Sequence, residues 1–278
     1  MRGLLILFCF ALACSCHVNG QKNCKPHNPL QLDKFSLKKR LINDRFNHTI
    51  SPNIIEAGQT EIETAIFFRH QYYGAKPMGN NPTSTLNAYS GIKARHRILR
   101  NLELQVGFTD LIVKTAKEID GYGDPNLMSK FFAGTKYQFY GQDNNIRMAL
   151  TGQVMLPLHS IESQFLLFET RLAGSLMVTD QLLLAGNIGG AFGSKKDFFP
   201  VYTAELTWTT KYGLEIMTEY YTNYMISNLL LKMNHRWLVG FGYYLHENTY
   251  VYVSFEEGTD SYDFLNKGRV DMGFTFRF

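Results

Sequence analysis

Residues Gly268 to Phe278 read GRVDMGFTFRF, and no other stretch limits the possible folds so tightly. Val270, Met272, Phe274, Phe276 and Phe278 take every second position, while Arg269, Asp271, Thr275 and Arg277 alternate with them around Gly273. A period of two places the two sets on opposite faces of a β-strand. One face is wholly apolar and the other carries charge. A strand of about ten residues divided in this way suits a membrane-spanning β-barrel, with lipid outside and a polar lumen inside. An amphipathic strand of a soluble sandwich shows the same alternation, so the rest of the chain must separate the two.

The 278 residues are 45% hydrophobic and 19% charged, with 21 Phe, 16 Tyr and two Trp. Charge lies below the usual quarter. Beyond the first twenty residues there is no run of 18 apolar residues that a spanning helix would need. A barrel hides its membrane signal, because only alternate residues have to be apolar. The net charge of +4 is spread along the chain, with no basic tract that would point to a nucleic acid partner.

The opening twenty residues read as an export leader: Arg2, an apolar run from Leu4 to Ala13, then Val18-Asn19-Gly20 ahead of Gln21. Ala11-Leu12-Ala13-Cys14 offers a competing, imperfect lipobox that would lipidate Cys14. Cys9, Cys14 and Cys16 belong to the leader, so cleavage leaves Cys24 alone, with no internal disulfide and no thiolate metal site. The expected division is a leader over 1–20, a polar periplasmic or plug segment over 21–57, and a barrel over 58–278.

Twelve segments have strand character: 59–70, 85–98, 101–113, 127–140, 146–156, 164–178, 181–192, 200–211, 213–222, 235–245, 249–257 and 268–278. In 101–109, Leu102, Leu104, Val106 and Phe108 oppose Glu103, Gln105 and Thr109; in 237–245, Trp237, Val239, Phe241, Tyr243 and Leu245 share one face. Connections after the even-numbered segments are tight, and those after the odd-numbered ones are longer, as over 71–84, 114–126, 223–234 and 258–267. Sorting loops by parity is the habit of an all-β, up-and-down antiparallel transmembrane barrel, with short turns on the periplasmic rim and long loops outside. A Greek-key sandwich has no reason for it. An even count brings the last strand beside the first and removes exposed edges.

Three stretches carry a resemblance to a known family. One is Leu41-Ile42-Asn43-Asp44-Arg45 through Ser51-Pro52-Asn53, followed by Glu56-Ala57-Gly58-Gln59 and Glu61-Ile62-Glu63-Thr64. Another is Gly121-Tyr122-Gly123-Asp124-Pro125-Asn126-Leu127, leading to Gly134-Thr135-Lys136-Tyr137; the third is the aromatic last strand. Together they resemble the bacterial outer-membrane β-barrels of the phenol-degradation meta-pathway transporter family. Phe46 and Asn47 stand where that family usually has Pro and Asp, and Ile50 where an acid is common. The resemblance implies passage of small molecules, hydrophobic or aromatic by the family's naming, but names no reaction. It also implies that the strand ending in Phe274, Phe276 and Phe278 is the signal read by the barrel-assembly machinery.

Parity places Glu61, Glu63, Arg69, Lys93, Arg95, Arg97, Glu103, Gln105, Lys130, Lys136, Arg147, Glu169, Arg171, Glu205, Glu215, Glu219, Asp271 and Arg277 in the lumen. Cross-strand Glu–Arg pairs that satisfy buried charge account for most such ladders; wall charges that tune solute passage are the functional alternative. Lys93, Arg95 and Arg97 are the best local candidates for an anionic preference, offset by Glu61, Glu63 and Glu103. A twelve-strand lumen is narrow, and residues 21–57 can block it through Asp44 and Arg45 or else form a periplasmic tail. Tyr72, Tyr73, Phe198, Phe199, Tyr202, Tyr220, Tyr221 and Tyr224 have the composition of an interfacial aromatic girdle.

No cofactor or metal site is expected: no two His have metal-binding helical spacing and no Gly-x-Ser-x-Gly occurs. His159-Ser160 are the nearest approach to a hydrolase pair, so an outer-membrane hydrolase is the least favoured reading. The favoured one is a non-enzymatic channel or diffusion transporter in the bacterial outer membrane, with membrane lipid, the assembly machinery and a small-molecule solute as partners. The alternatives are a structural or adhesive surface barrel that conducts nothing, and a soluble secreted sandwich.

Overall fold

The computed structural model describes residues 49–73, 83–115, 130–141, 144–157, 166–193, 198–227, 230–258 and 268–278. Asp44, Arg45, the leader and His159-Ser160 lie outside these residues. The described residues form twelve strands: β1 (Thr60–Tyr73), β2 (Thr83–Leu99), β3 (Leu102–Thr115), β4 (Lys130–Tyr140), β5 (Ile146–Pro157), β6 (Leu167–Met177), β7 (Leu182–Gly193), β8 (Phe198–Thr209), β9 (Leu214–Ser227), β10 (Leu230–His246), β11 (Thr249–Gly258) and β12 (Arg269–Arg277).

Each strand pairs antiparallel with its neighbours in sequence, and β12 returns to β1, so the sheet is a closed up-and-down barrel. The closure is tight. The Thr60 N–H donates to the Phe278 carbonyl at 2.9 Å, and the Phe278 N–H donates to the Thr60 carbonyl at 3.0 Å. From there the register runs from Glu61↔Arg277 to Arg69↔Arg269 without a slip. A closed ladder pairs backbone groups that hydrocarbon could not satisfy.

Alternation decides the two surfaces. In β6 buried residues fall at every second position from Leu167 to Ser175, and the residues between them face out. Leu104, Val106, Leu150, Trp208, Trp237, Val239 and Phe255 stand exposed on the outside, and Ile188 is 66% exposed. An outer wall of exposed aliphatic and aromatic side chains is at home in lipid and costly in water. This is a transmembrane β-barrel. Phe192 packs between Phe168 and Phe198 on this surface, at 6.4 and 5.1 Å, and Phe274, Phe276 and Phe278 stack along β12 at 6.4 and 5.8 Å.

The inward face combines charge with bulk. Tyr250 and Tyr252 turn inward and lie across Gly242 and Gly273 on adjacent strands. A Cβ added at Gly242 would sit 1.7 Å from the Tyr250 hydroxyl oxygen, and one at Gly273 would sit 2.2 Å from the Tyr252 ring. Only glycine leaves room there.

Two expectations are corrected. The long connection over 223–234 does not exist as such: β9 runs to Ser227 and β10 starts at Leu230, so the hairpin is continuous strand nearly to its tip. The connection between β7 and β8, from Gly193 to Phe198, is likewise short. Loop length therefore sorts by parity only in part. Polar residues such as Asn223 and Asn234, which pair with each other in the ladder, had looked like loop. Tyr221, expected in the girdle, instead points inward and is wholly buried, because its parity on β9 is that of Glu219 and Met217.

Replacing outward Ile188 by Arg is expected to destabilise the barrel by about 2–4 kcal/mol, the cost of a cation facing the bilayer midplane, whereas Ile188→Leu is nearly neutral. Denaturant titration of the chain folded in lipid vesicles checks this; equal midpoints for the two variants would contradict the outward assignment.

Candidate functional site

Among the described residues, charged side chains converge in the lumen. Near the short-connection ends of β1 to β4, Arg95 lies at the centre of a fully buried cluster. Its Nη1 reaches Glu61 at 2.9 Å and Glu63 at 3.1 Å, while Nε and Nη2 hold both oxygens of Glu103 at 2.8 and 3.0 Å. The planar fork of guanidinium suits this bidentate grip, which a lysine would not reproduce. Lys93 pairs with Glu63 at 2.7 Å and Arg277 with Glu61 at 3.0 Å, and Lys136 stands 3.8 Å from Glu103. Four cations thus share three carboxylates. Register explains the meeting, since Glu61↔Arg95 and Glu63↔Lys93 are direct β1–β2 neighbours and Arg95 faces Gln105 across β2–β3.

Arg97 does not join this cluster. Its guanidinium donates to the carbonyls of Leu99, at 3.1 Å, and Arg100, fastening the β2–β3 turn. Glu169 and Arg171 pair with each other along β6 at 2.6 Å, and Gln153 donates to Glu169 at 2.9 Å. Gln105 is buried beside Glu103, and Lys130 is half-buried at the far end of β4. Arg69 is placed by register only, opposite Arg269.

The acids of β8 and β9 sit in a different setting. Glu205 and Glu219 are direct register partners. The Thr207 hydroxyl donates to Glu205, and Glu215 accepts from Thr209 at 2.9 Å and from Tyr250 at 2.8 Å. Two carboxylates facing each other across a ladder repel. The lumen therefore has a cation-rich wall at β2 to β5 and a carboxylate-rich wall at β8 and β9.

Residues 49–58 run between these walls. The Thr49 hydroxyl donates to Glu219 at 2.5 Å. Ile50 exchanges two hydrogen bonds with Asn187, its N–H to Oδ1 at 2.7 Å and Nδ2 to its carbonyl at 2.8 Å. Further along, Lys136 donates to the Asn53 carbonyl at 3.1 Å and Arg147 to its Oδ1 at 2.7 Å. The Ile55 N–H donates to Glu103 at 3.0 Å, and Arg97 donates to the Ile55 carbonyl at 3.3 Å. Ile54 and Ile55 are buried. Gly58, at φ 77°, then turns the chain into β1, a left-handed backbone position that suits glycine. The segment gives the acid wall the Thr49 hydroxyl donor, and meets the basic wall with the Asn53 and Ile55 carbonyls, the Asn53 side-chain oxygen and the Ile55 N–H on Glu103. It climbs from the short-connection end, where Arg97 and Arg147 lie, to mid-barrel at Asn187 and Glu219.

A second buried group lies nearer the long-connection end. Arg236 holds Glu256 at 2.7 Å, and Arg269 pairs with Asp271 while covering the Phe67 ring at 4.1 Å. Arg236, Glu256 and the inward tyrosines were not singled out from sequence, although the parity of β10 and β11 carried the signal. On β11 the inward Tyr250 and Tyr252 are as aromatic as the outward Phe255, so hydrophobicity alone does not tell the faces apart.

No known family profile and no curated protein matches the sequence. Solved structures do match. An outer-membrane channel from Pseudomonas putida F1 superposes with TM-score 0.55 at 9% identity, covering 81% of this chain and 97% of that one. The KdgM porin in complex with disordered oligogalacturonate gives 0.51 at 13% identity, over 77% and 99% of the two chains. The NanC porin gives 0.51 at 7% identity, over 76% and 98%. At such identities the likeness lies in the fold, and the fold is that of outer-membrane channel barrels.

Replacing Arg95 by Met leaves Glu61, Glu63 and Glu103 without their shared cation and is expected to cost about 3–5 kcal/mol, as for other broken buried pairs. The triple change of Arg95→Met with Glu61→Gln and Glu103→Gln should recover part of that loss. Unfolding midpoints in detergent or lipid measure both; a single variant as stable as the parent would show that Arg95 does not hold the cluster together.

Proposed function

We propose that this chain is a channel for small molecules in the bacterial outer membrane, gated by the residues that precede its barrel. The observation carrying this reading is the segment Thr49 to Ile55, held inside the lumen by side chains of six strands. Backbone hydrogen bonds to wall side chains are individually modest, about 0.5–1.5 kcal/mol net, and somewhat more to charged partners, so such a segment can be exchanged for a solute and water. In this reading residues 1–20 are the export leader, 21–57 the gate and 58–278 the barrel. The charged inner wall beneath an apolar outer one supports it, as does the shared fold with channels, one of which was solved with an oligogalacturonate.

The likeness to the meta-pathway transporter family, carried by the Leu41–Thr64 and Gly121–Tyr137 stretches and the aromatic last strand, favours a small aromatic or hydrophobic solute. Lys93 and Arg95 do not favour anions, because Glu61, Glu63 and Glu103 neutralise them. A non-conducting structural barrel is the second reading, favoured by the full burial of Arg95, Glu61, Glu103 and Lys136 near the short connections.

In planar bilayers, residues 21–278 should give discrete conductance steps, and deletion of 21–57 should enlarge them. Asn53→Ala, which removes the side-chain acceptor for Arg147, should raise the fraction of time spent open. Equal steps with and without 21–57 would count against the gate, and a folded barrel that conducts in neither form would favour the structural reading.

A further inference from the structure

The lumen holds residues 49–55 largely by their main chain. Asn187 of β7 meets Ile50 through both halves of its carboxamide: the Ile50 N–H donates to Oδ1 at 2.7 Å, and Nδ2 donates to the Ile50 carbonyl at 2.8 Å. Lys136 of β4 donates to the Asn53 carbonyl at 3.1 Å. At Ile55, Glu103 of β3 accepts the N–H at 3.0 Å and Arg97 of β2 donates to the carbonyl at 3.3 Å. Every peptide residue except proline carries one such N–H and one such C=O. Side chains are read at Thr49, whose hydroxyl meets Glu219, and at Asn53, whose Oδ1 meets Arg147.

The segment is not strand, so these bonds go to wall side chains rather than to a ladder edge. It bends at Pro52, where the Ser51 hydroxyl accepts the Asn53 N–H at 3.2 Å. Register sets Asn187, Ala173 and Ala149 in one row across β7, β6 and β5, and both alanines are wholly buried. Methyl side chains on that wall leave the depth that a polypeptide needs. From Thr49 to Ile55 the segment carries no charged side chain of its own. Asn187 and Glu103 are buried, and a buried donor or acceptor left without a partner costs more than its bond contributes. A hydrocarbon occupant leaves such groups to water, whereas a second peptide replaces the segment bond for bond. Binding through the main chain gives affinity across many sequences, and side-chain pockets add preference.

We propose that these side chains form a peptide-binding track, which takes short uncharged peptides from solution in place of the chain's own residues 49–55. The inference rests on the gate reading and adds a class of cargo to it. Main-chain bonds set the class, and the buried places of Ile54 and Ile55 set a preference for aliphatic residues in its second half.

The test frees the track after folding. A specific protease site is inserted between Ala57 and Gly58, both exposed, so that the mature chain folds whole and is cut afterwards. Mass spectrometry follows loss of the segment, and planar bilayers report conductance. Conductance should rise as the segment leaves, and an acetylated, amidated peptide of residues 49–56 should restore the lower level as its concentration increases. Thr49→Ala with Asn53→Ala in the peptide should weaken the block by no more than about tenfold, whereas N-methylation of its Ile50 and Ile55 amides should weaken it by about a hundredfold. Asn187→Leu in the barrel should weaken the unmethylated peptide more than the methylated one. Three results would overturn the track and leave the gate: a rise in conductance that no peptide reverses, a cut segment that neither leaves nor exchanges with isotope-labelled peptide, or a block that survives N-methylation but not the alanine changes. Conductance unchanged after the segment has left would overturn the gate, and the track with it.

Discussion

The structure depends on one requirement: backbone groups at membrane depth must find partners within the protein. Hydrocarbon offers no hydrogen bonds, so the sheet has to close. The reciprocal pair between Thr60 and Phe278 is where it does. Closure sets the register between β1 and β12, that register places Arg277 against Glu61, and the same alternation carries apolar side chains outward all the way round. The buried charged side chains then share the interior.

Confinement explains why that interior is organised rather than merely charged. Burying an isolated ion is expensive, and the charges divide into groups that satisfy themselves differently. Arg95 gathers Glu61, Glu63 and Glu103; Arg236 and Arg269 serve Glu256 and Asp271; Glu205, Glu215 and Glu219 rely on hydroxyl donors. The segment from Thr49 to Ile55 touches both walls, with a hydroxyl donor on one and carbonyl oxygens together with one amide donor on the other. Its backbone carries donors and acceptors side by side, so one short segment meets acid and base at once.

Much of the fold was legible because period two is a local signal. Alternations such as Leu104–Val106–Phe108 or Val270–Met272–Phe274 need only neighbouring residues to be recognised. The signal weakened where both faces are aromatic, as at Tyr250, Tyr252 and Phe255, and where polar residues occupy strand, as at Asn223 and Asn234. Within the site, parity shows which side chains share a face, but not which of them meet. Register sets Arg97 directly opposite Glu103, yet Arg97 ties down the β2–β3 turn while Arg95 takes that carboxylate, a choice made by side-chain direction that no sequence pattern shows.

By itself, the sequence determined that this chain alternates along some dozen strands, that one face of each suits lipid, and that the other carries charges of both signs. These properties follow from the order of residues within single strands. Only the tertiary structure decided which charges neutralise one another, that residues 49–58 lie within the barrel, and that Asn187 meets the main chain of Ile50. Each of these depends on the register between strands that are separated in sequence or on a contact across the lumen. An asparagine at position 187 is visible in the sequence, but that its carboxamide pairs with the backbone of Ile50 is a property of the assembled barrel.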